Sequence, residues 1–269
     1  MLPNARRSMQ VGRILALAVA AVALHTPCYA VVTSEDLRSA ARAAEAGFPF
    51  AFRIRDLPQL DDKHIGYTRV DPAEYPDALL RLELLRREFA KYPKPFLRAT
   101  GLQWVGIAKN LTLGGAPHTA THDMREKALV FDVRQAARNE RYRRYVVHHE
   151  FFHFIEEHVR QLRGDPKWRA LNPLDFEYRR NNGAGEAGTS WLYNYPRPGF
   201  VSTYSMSSEF EDRAEIHAAL FDAAHYGLLM RIAGEDAIVR RKVTYVLEFL
   251  RRIDPSLDAE YFRRMHESK

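Results

Sequence analysis

The chain of 269 residues has one cysteine, Cys28. No intrachain disulfide can form, so stability has to come from a core large enough to need none. The apolar stretch Ile14 to Leu24 is too short to span a bilayer. Internal repeats and low-complexity tracts are absent. Excess charge is small: Lys and Arg number 40 against 34 Asp and Glu, a formal +6. Three of those positive charges are Arg6, Arg7 and Arg13, at the start of the chain. Without them the balance falls to +3, so the basic character is poor evidence for nucleic acid binding, and no nucleic acid partner is expected.

Those arginines, the apolar Ile14 to Leu24 and the small-residue ending Cys28-Tyr29-Ala30 before Val31 have the three parts of an export signal over residues 1–30. The Ser8-Met9-Gln10 that follows Arg6-Arg7 matches a twin-arginine signal poorly, so ordinary secretion is expected. A periplasmic or secreted location follows, with an uncleaved membrane anchor as the alternative. Cleavage after Ala30 removes the cysteine and leaves 269 − 30 = 239 residues, a size suited to one domain over 31–269 without stable membrane insertion.

Hydrophobic periodicity divides that domain. Thr33-Ser34-Glu35-Asp36 starts a helix that ends near Gly47, and the alternation of Phe48, Phe50, Phe52 and Ile54 predicts a strand over 48–55. Asp71-Pro72-Ala73-Glu74 opens a helix whose Leu79, Leu80, Leu82, Leu84, Leu85 and Phe89 form one apolar face. Residues 102–108 and 127–133 predict strands, joined by a turn-rich connection over 111–122 in which Gly114-Gly115 reads as a plain turn. Residues 139–162 predict a helix apolar nearly all round at its centre, and therefore buried. A long ordered loop, 164–199, follows with Trp168, Tyr178, Trp191, Tyr193 and Tyr195, which either line a groove or pack the loop. Two helices, about 208–226 and 235–252, complete the domain.

The most informative motif is His149-Glu150-Phe151-Phe152-His153, an HExxH run inside the buried helix. Two histidines four apart on a helix are offset by about 40° and one turn, so both imidazoles can converge on one metal ion. Glu150 falls about 100° round from His149, where a carboxylate can accept a proton from a water bound at the metal. A catalytic zinc needs a third protein ligand and an open position. Short spacing does not supply it: an HExxHxxGxxH pattern has Glu156 at its glycine and Val159 at its third histidine. His158 faces about 180° from His149, and it and His148 read as packing or surface residues. Downstream, Glu209, Glu211 and Glu215 stand on a second helix, with Glu211 and Glu215 on one face. One carboxylate there can bind the metal while the next holds a ligating histidine; the alternative is a solvated acidic face.

His149-Glu150-Phe151-Phe152-His153-Phe154-Ile155-Glu156, then Phe200-Val201-Ser202-Thr203-Tyr204, then Glu211-Asp212-Arg213-Ala214-Glu215, resembles the catalytic domain of anthrax lethal factor and related zinc-binding metallopeptidases of bacteria, which are gluzincins. Tyr204 and Glu211 keep that family's interval of seven residues, and Glu215 completes its ExxxE pair. Glu156 stands where the family usually has Asp, and 58 residues separate His153 from Glu211, a longer interval than expected. The resemblance is clear from about 127 to 221. It implies one zinc ion on His149, His153 and Glu211, with Glu150 as general base, Tyr204 as the oxyanion-stabilising hydroxyl and Glu215 behind a ligand.

It also implies an α+β fold: a zincin-like metallopeptidase domain with a small mixed sheet packed on the active-site helix and a mostly helical C-terminal part. By analogy with zincins, the strand 128–132 becomes the edge on which an extended substrate pairs. The function expected is peptide-bond hydrolysis, acting on a peptide or protein. The alternative is a zinc protein of the same fold that binds an envelope component or partner without turnover.

Overall fold

The computed structural model describes residues 32–54, 56–58, 60, 64–134, 139–159, 165–178 and 195–267. The expected export signal, Trp191 and Tyr193 lie outside the described residues. Helix α1 (Ser34–Glu45) starts where expected. The Thr33 hydroxyl accepts from the Asp36 amide while the Asp36 carboxylate accepts from the Thr33 amide, at 2.7 Å. Helix α2 (Tyr75–Phe89) follows a 3-10 turn at Pro72–Glu74, with Asp71 and Glu74 capping reciprocally. It buries Leu82, Leu84, Leu85 and Phe89, but Leu80, expected on the same face, is 64% exposed. Helix α3 (Lys94–Thr100), not anticipated, ends at Gly101 with φ +72.

Strand β1 (Ala51–Arg53) is shorter than the predicted 48–55: only Ala51, Phe52 and Arg53 pair with β3, and Phe48, Phe50 and Phe52 pack ring against ring on one face. Strands β2 (Ile65–Thr68), β4 (Ala116–Pro117) and β5 (Ala120–Asp123) were not predicted, and β3 (Trp104–Leu113) runs five residues beyond its expected end. The supposed connection over 111–122 is therefore largely strand. Gly114 and Gly115 turn between β3 and β4 with φ +59 and +82 and open space around both.

The sheet order is β1-β3-β6-β5, where β6 is Ala128–Asp132 and β2 and β4 pair with the far half of β3. Asn110, at φ 55, bends β3 where it leaves its parallel partners β1 and β6 for its antiparallel partners β2 and β4. Strand β6 lies between β3 and β5, so it is not the edge strand that the analogy requires; β5 is the edge on that side of the sheet. All five residues of β6 are buried: Leu129 and Phe131 on the main core, Ala128 and Val130 on a smaller one with Leu57, Trp104 and Leu111.

The C-terminal part is helical. Helix α4 (Glu140–Val159) inserts Phe151, Phe152, Phe154 and Ile155 into the main core with no exposure, as its all-round apolar centre requires. The loop after it holds a short helix α5 (Pro166–Arg169). The single helix expected over 208–226 is two, α6 (Glu209–Phe221) and α7 (Ala223–Glu235). Asp222 separates them in an extended conformation, its carboxylate accepting from the Ala224 amide. Helix α8 (Ala237–Ile253) starts on Asp236, and α9 (Ala259–Glu267) was not anticipated. The whole is α+β: a small mixed sheet with a mostly helical C-terminal part. No described helix is long and apolar enough to cross a membrane.

Candidate metal centre

Helix α4 brings His149 and His153 to one face, and α6 crosses it with Glu211 in its first turn. Ser208 caps α6, its hydroxyl accepting from the Glu211 amide at 3.2 Å. That cap fixes the backbone from which the Glu211 carboxylate reaches α4. His149 Nε2 lies 2.9 Å from Glu211 Oε2, His153 Nε2 lies 3.3 Å from the same oxygen, and the two nitrogens are 3.1 Å apart.

Two imidazole nitrogens and a carboxylate oxygen thus converge on one point, and they form a group able to hold a metal ion. Tetrahedral zinc with bonds of about 2.0–2.2 Å sets adjacent ligand atoms about 3.4 Å apart, so the donor type and the observed triangle both fit it. Electrostatics agree. Burial lowers the pKa of His149, but hydrogen bonds to Glu211 and Glu215 outweigh it and raise the pKa well above the usual imidazole range. Burial raises that of Glu211, but His153 and His149 hold it well below the ordinary carboxylate value. The cluster favours positive charge at its centre.

A solved structure of a candidate zinc-binding metallo-peptidase from Bacteroides caccae is similar to this chain. The TM-score is 0.49 at 20% identity, over 88% of this chain and 95% of that one. No family model and no curated protein matches the sequence.

Behind the triangle, Glu215 lies one turn past Glu211 and is buried. Its Oε1 is 3.2 Å from His149 Nδ1, and its Oε2 accepts from the Ser202 hydroxyl at 2.6 Å. A proton held on Nδ1 leaves the Nε2 lone pair free for a metal. Ser202 is itself fully buried, and its Oγ accepts from the Ser205 amide at 3.0 Å. Sequence reasoning assigned Ser202 no role, although it stands two residues before Tyr204.

Tyr204, in a 3-10 turn (Tyr204–Met206), sets its ring 5.9 Å from that of His149. Burial pushes its hydroxyl pKa up, and the Glu211 and Glu150 carboxylates add to the rise, so the phenol stays protonated near neutrality. Glu150 is half-buried on α4 and stands outside the ligand triangle. His122 of β5 was also overlooked. Its ring is 6.2 Å from that of His153, and its Nε2 is 3.2 Å from Glu157 Oε2.

The remaining residues weighed from sequence go elsewhere. His148 is buried between the Tyr92 hydroxyl, 2.8 Å away, and Glu88, 3.0 Å away. His158 stacks on Phe154. Glu209 pairs with Arg169 at 2.9 Å. Glu156, where the resemblance expects Asp, forms a fully buried ion pair with Arg213, two residues past Glu211, and so ties α4 to α6 just beyond the ligands. Trp168 stacks against the Arg213 guanidinium and is fully buried, so among the described loop aromatics it packs the insertion rather than lining a groove. Lys242 of α8 is also fully buried, donating to Asp212 at 2.6 Å and to the Gly199 carbonyl at 2.8 Å.

Proposed function

We propose that this protein is an exported zinc-dependent peptidase whose one metal ion is held by His149, His153 and Glu211. The observation that carries the reading is the convergence of three donor atoms, two of them from an HExxH run, 2.9 to 3.3 Å apart. Zinc bound there supplies a Lewis acid and a water of lowered pKa. Glu150, beside the triangle, takes the proton of the attacking water and delivers it to the departing amine nitrogen. Tyr204 keeps its phenolic proton and donates it in a hydrogen bond to the carbonyl oxygen as negative charge develops. Glu215 and Ser202 hold His149 in the tautomer that presents Nε2. A peptide substrate extends along β5, the strand at the sheet's edge beside α4.

The test is metal content together with digestion of a broad peptide library, comparing wild type with Glu150→Gln. One zinc per chain in both proteins, with cleavage by wild type alone, is expected. Full zinc occupancy with no cleavage by either protein refutes the peptidase reading and leaves a zinc-binding protein without turnover.

A further inference from the structure

Strand β5 pairs with β6 along one edge, and no described strand pairs along its other edge. The Asp132 amide, at the end of β6, donates to the Thr119 carbonyl at 2.8 Å, and the register sets Ala120 opposite Phe131 and His122 opposite Leu129. An antiparallel ladder alternates, so Thr119 and Thr121 bond inward while the amides and carbonyls of Ala120 and His122 face the open edge. Those are the groups with which an added peptide strand pairs.

The side chains of β5 alternate between faces as well. Ala120 enters the main core, as the centre of α4 does, so His122, two residues on, turns toward the same helix. Its Nε2 is 3.2 Å from Glu157 Oε2, and its ring is 6.2 Å from that of His153. Glu157 lies one turn past His153 on α4. The His122 Nδ1 is buried without a hydrogen-bond partner, so Glu157 is the polar group that holds the ring. His122 thus offers the open edge with its backbone and grips the ligand-bearing helix with its side chain.

We propose that His122 is a positioning residue for the peptidase reaction: its clamp on Glu157 fixes the open edge of β5 at one distance from His149 and His153, so that a substrate strand paired there lays its scissile bond beside them. The inference rests on the peptidase reading of the same site. A substrate still pairs when the clamp is removed, because the backbone groups of β5 remain. What is lost is the fixed height of that strand, and a misplacement of about 1 Å costs up to about 100-fold in rate.

The full-length protein is compared with His122→Ala, Glu157→Ala, the double variant and His122→Gln, whose side-chain amide can donate to Glu157 as the imidazole does. In the metal-free proteins, hydrogen exchange of residues 118–123, read by mass spectrometry, should rise several-fold in both alanine variants and return toward wild type in His122→Gln. With zinc, on the peptide that wild type cleaves fastest in a broad library, kcat should fall about 10–100-fold in either alanine variant while KM and zinc affinity hold. The double variant should lose no more than the larger single loss, and His122→Gln should regain most of the rate. If His122→Ala does not fold, Glu157→Ala decides by the same readouts. Wild-type kcat in the alanine variants, additive losses, a rise in KM alone or unchanged exchange overturns the inference and leaves the peptidase reading standing. A zinc-loaded wild type that cleaves nothing overturns both.

Discussion

Removing Glu215 tests whether the metal centre depends on what stands behind it. The carboxylate is 1% exposed, its Oε1 is 3.2 Å from His149 Nδ1 and its Oε2 is 2.6 Å from Ser202 Oγ. Glu215→Ala deletes both acceptors, so the imidazole loses its orientation and the Ser202 O–H loses its acceptor, keeping only the Ser205 amide as a donor. Outer partners of ligating histidines are worth about 10–100-fold in metal affinity, or about 1.4–2.7 kcal/mol. A buried O–H left without an acceptor adds about 1–3 kcal/mol to the cost in fold stability. Glu215→Gln keeps the shape and one acceptor oxygen, so its loss of affinity is expected to be about tenfold or less. Ser202→Ala leaves the carboxylate in place and should also fall below Glu215→Ala. The assay is competition for zinc against a chromophoric chelator, with urea unfolding of the metal-free proteins run alongside to separate affinity from stability. Wild-type zinc affinity in a folded Glu215→Ala protein refutes the reasoning, because His149 is then oriented by something else.

Three further outcomes are expected. Arg213→Met leaves Glu156 as an unpaired buried carboxylate and should cost about 3–5 kcal/mol in urea unfolding, while the double variant Glu156→Leu/Arg213→Met loses less than the sum of the single changes. Asp236 caps α8 and accepts from the Gly199 amide at 2.6 Å; Asp236→Asn should destabilise by about 1–2 kcal/mol. Burial opposes ionisation of Asp236, but the Gly199, Val239 and Ile238 amides outweigh it and hold its pKa below the ordinary value of 3.8. Its ionised form therefore stabilises the fold above that value, and the gap between wild type and Asp236→Asn, followed by thermal melting against pH, should close as pH falls through the lowered pKa. Chelation of the metal should lower the melting temperature of wild type and leave that of His153→Ala unchanged, as differential scanning fluorimetry can show.

The parts of the fold that sequence reasoning recovers are those with a long pattern. Helix α4 declares itself because its centre is apolar on every side, and α1 and α2 because their capping residues precede amphipathic runs. Strands β2, β4 and β5, of two to four residues, are shorter than the window over which alternation can be recognised, and they exist because β3 offers a partner to β2 and β4 and β6 offers one to β5. The break at Asp222 carries a capping residue, but apolar residues on both sides make 208–226 read as continuous.

At the metal centre, the α4 histidines follow from spacing alone. The shared helix face sets Glu211 and Glu215 apart from Glu209, which Arg169, 40 residues upstream, engages. Only the resemblance singled out Glu211, rather than Glu215, as the ligand. Ser202 and His122 were illegible because their roles arise from segments that meet only in the folded chain.

Lys242 gives the molecule a chemical reporter. Its amino group is sealed between Asp212 and the Gly199 carbonyl, and among the described residues it is the one lysine that is wholly buried. Acylating reagents reach it only when α8 lifts from α6, so its labelling rate, read by mass spectrometry, times the opening of the helix that carries Glu211.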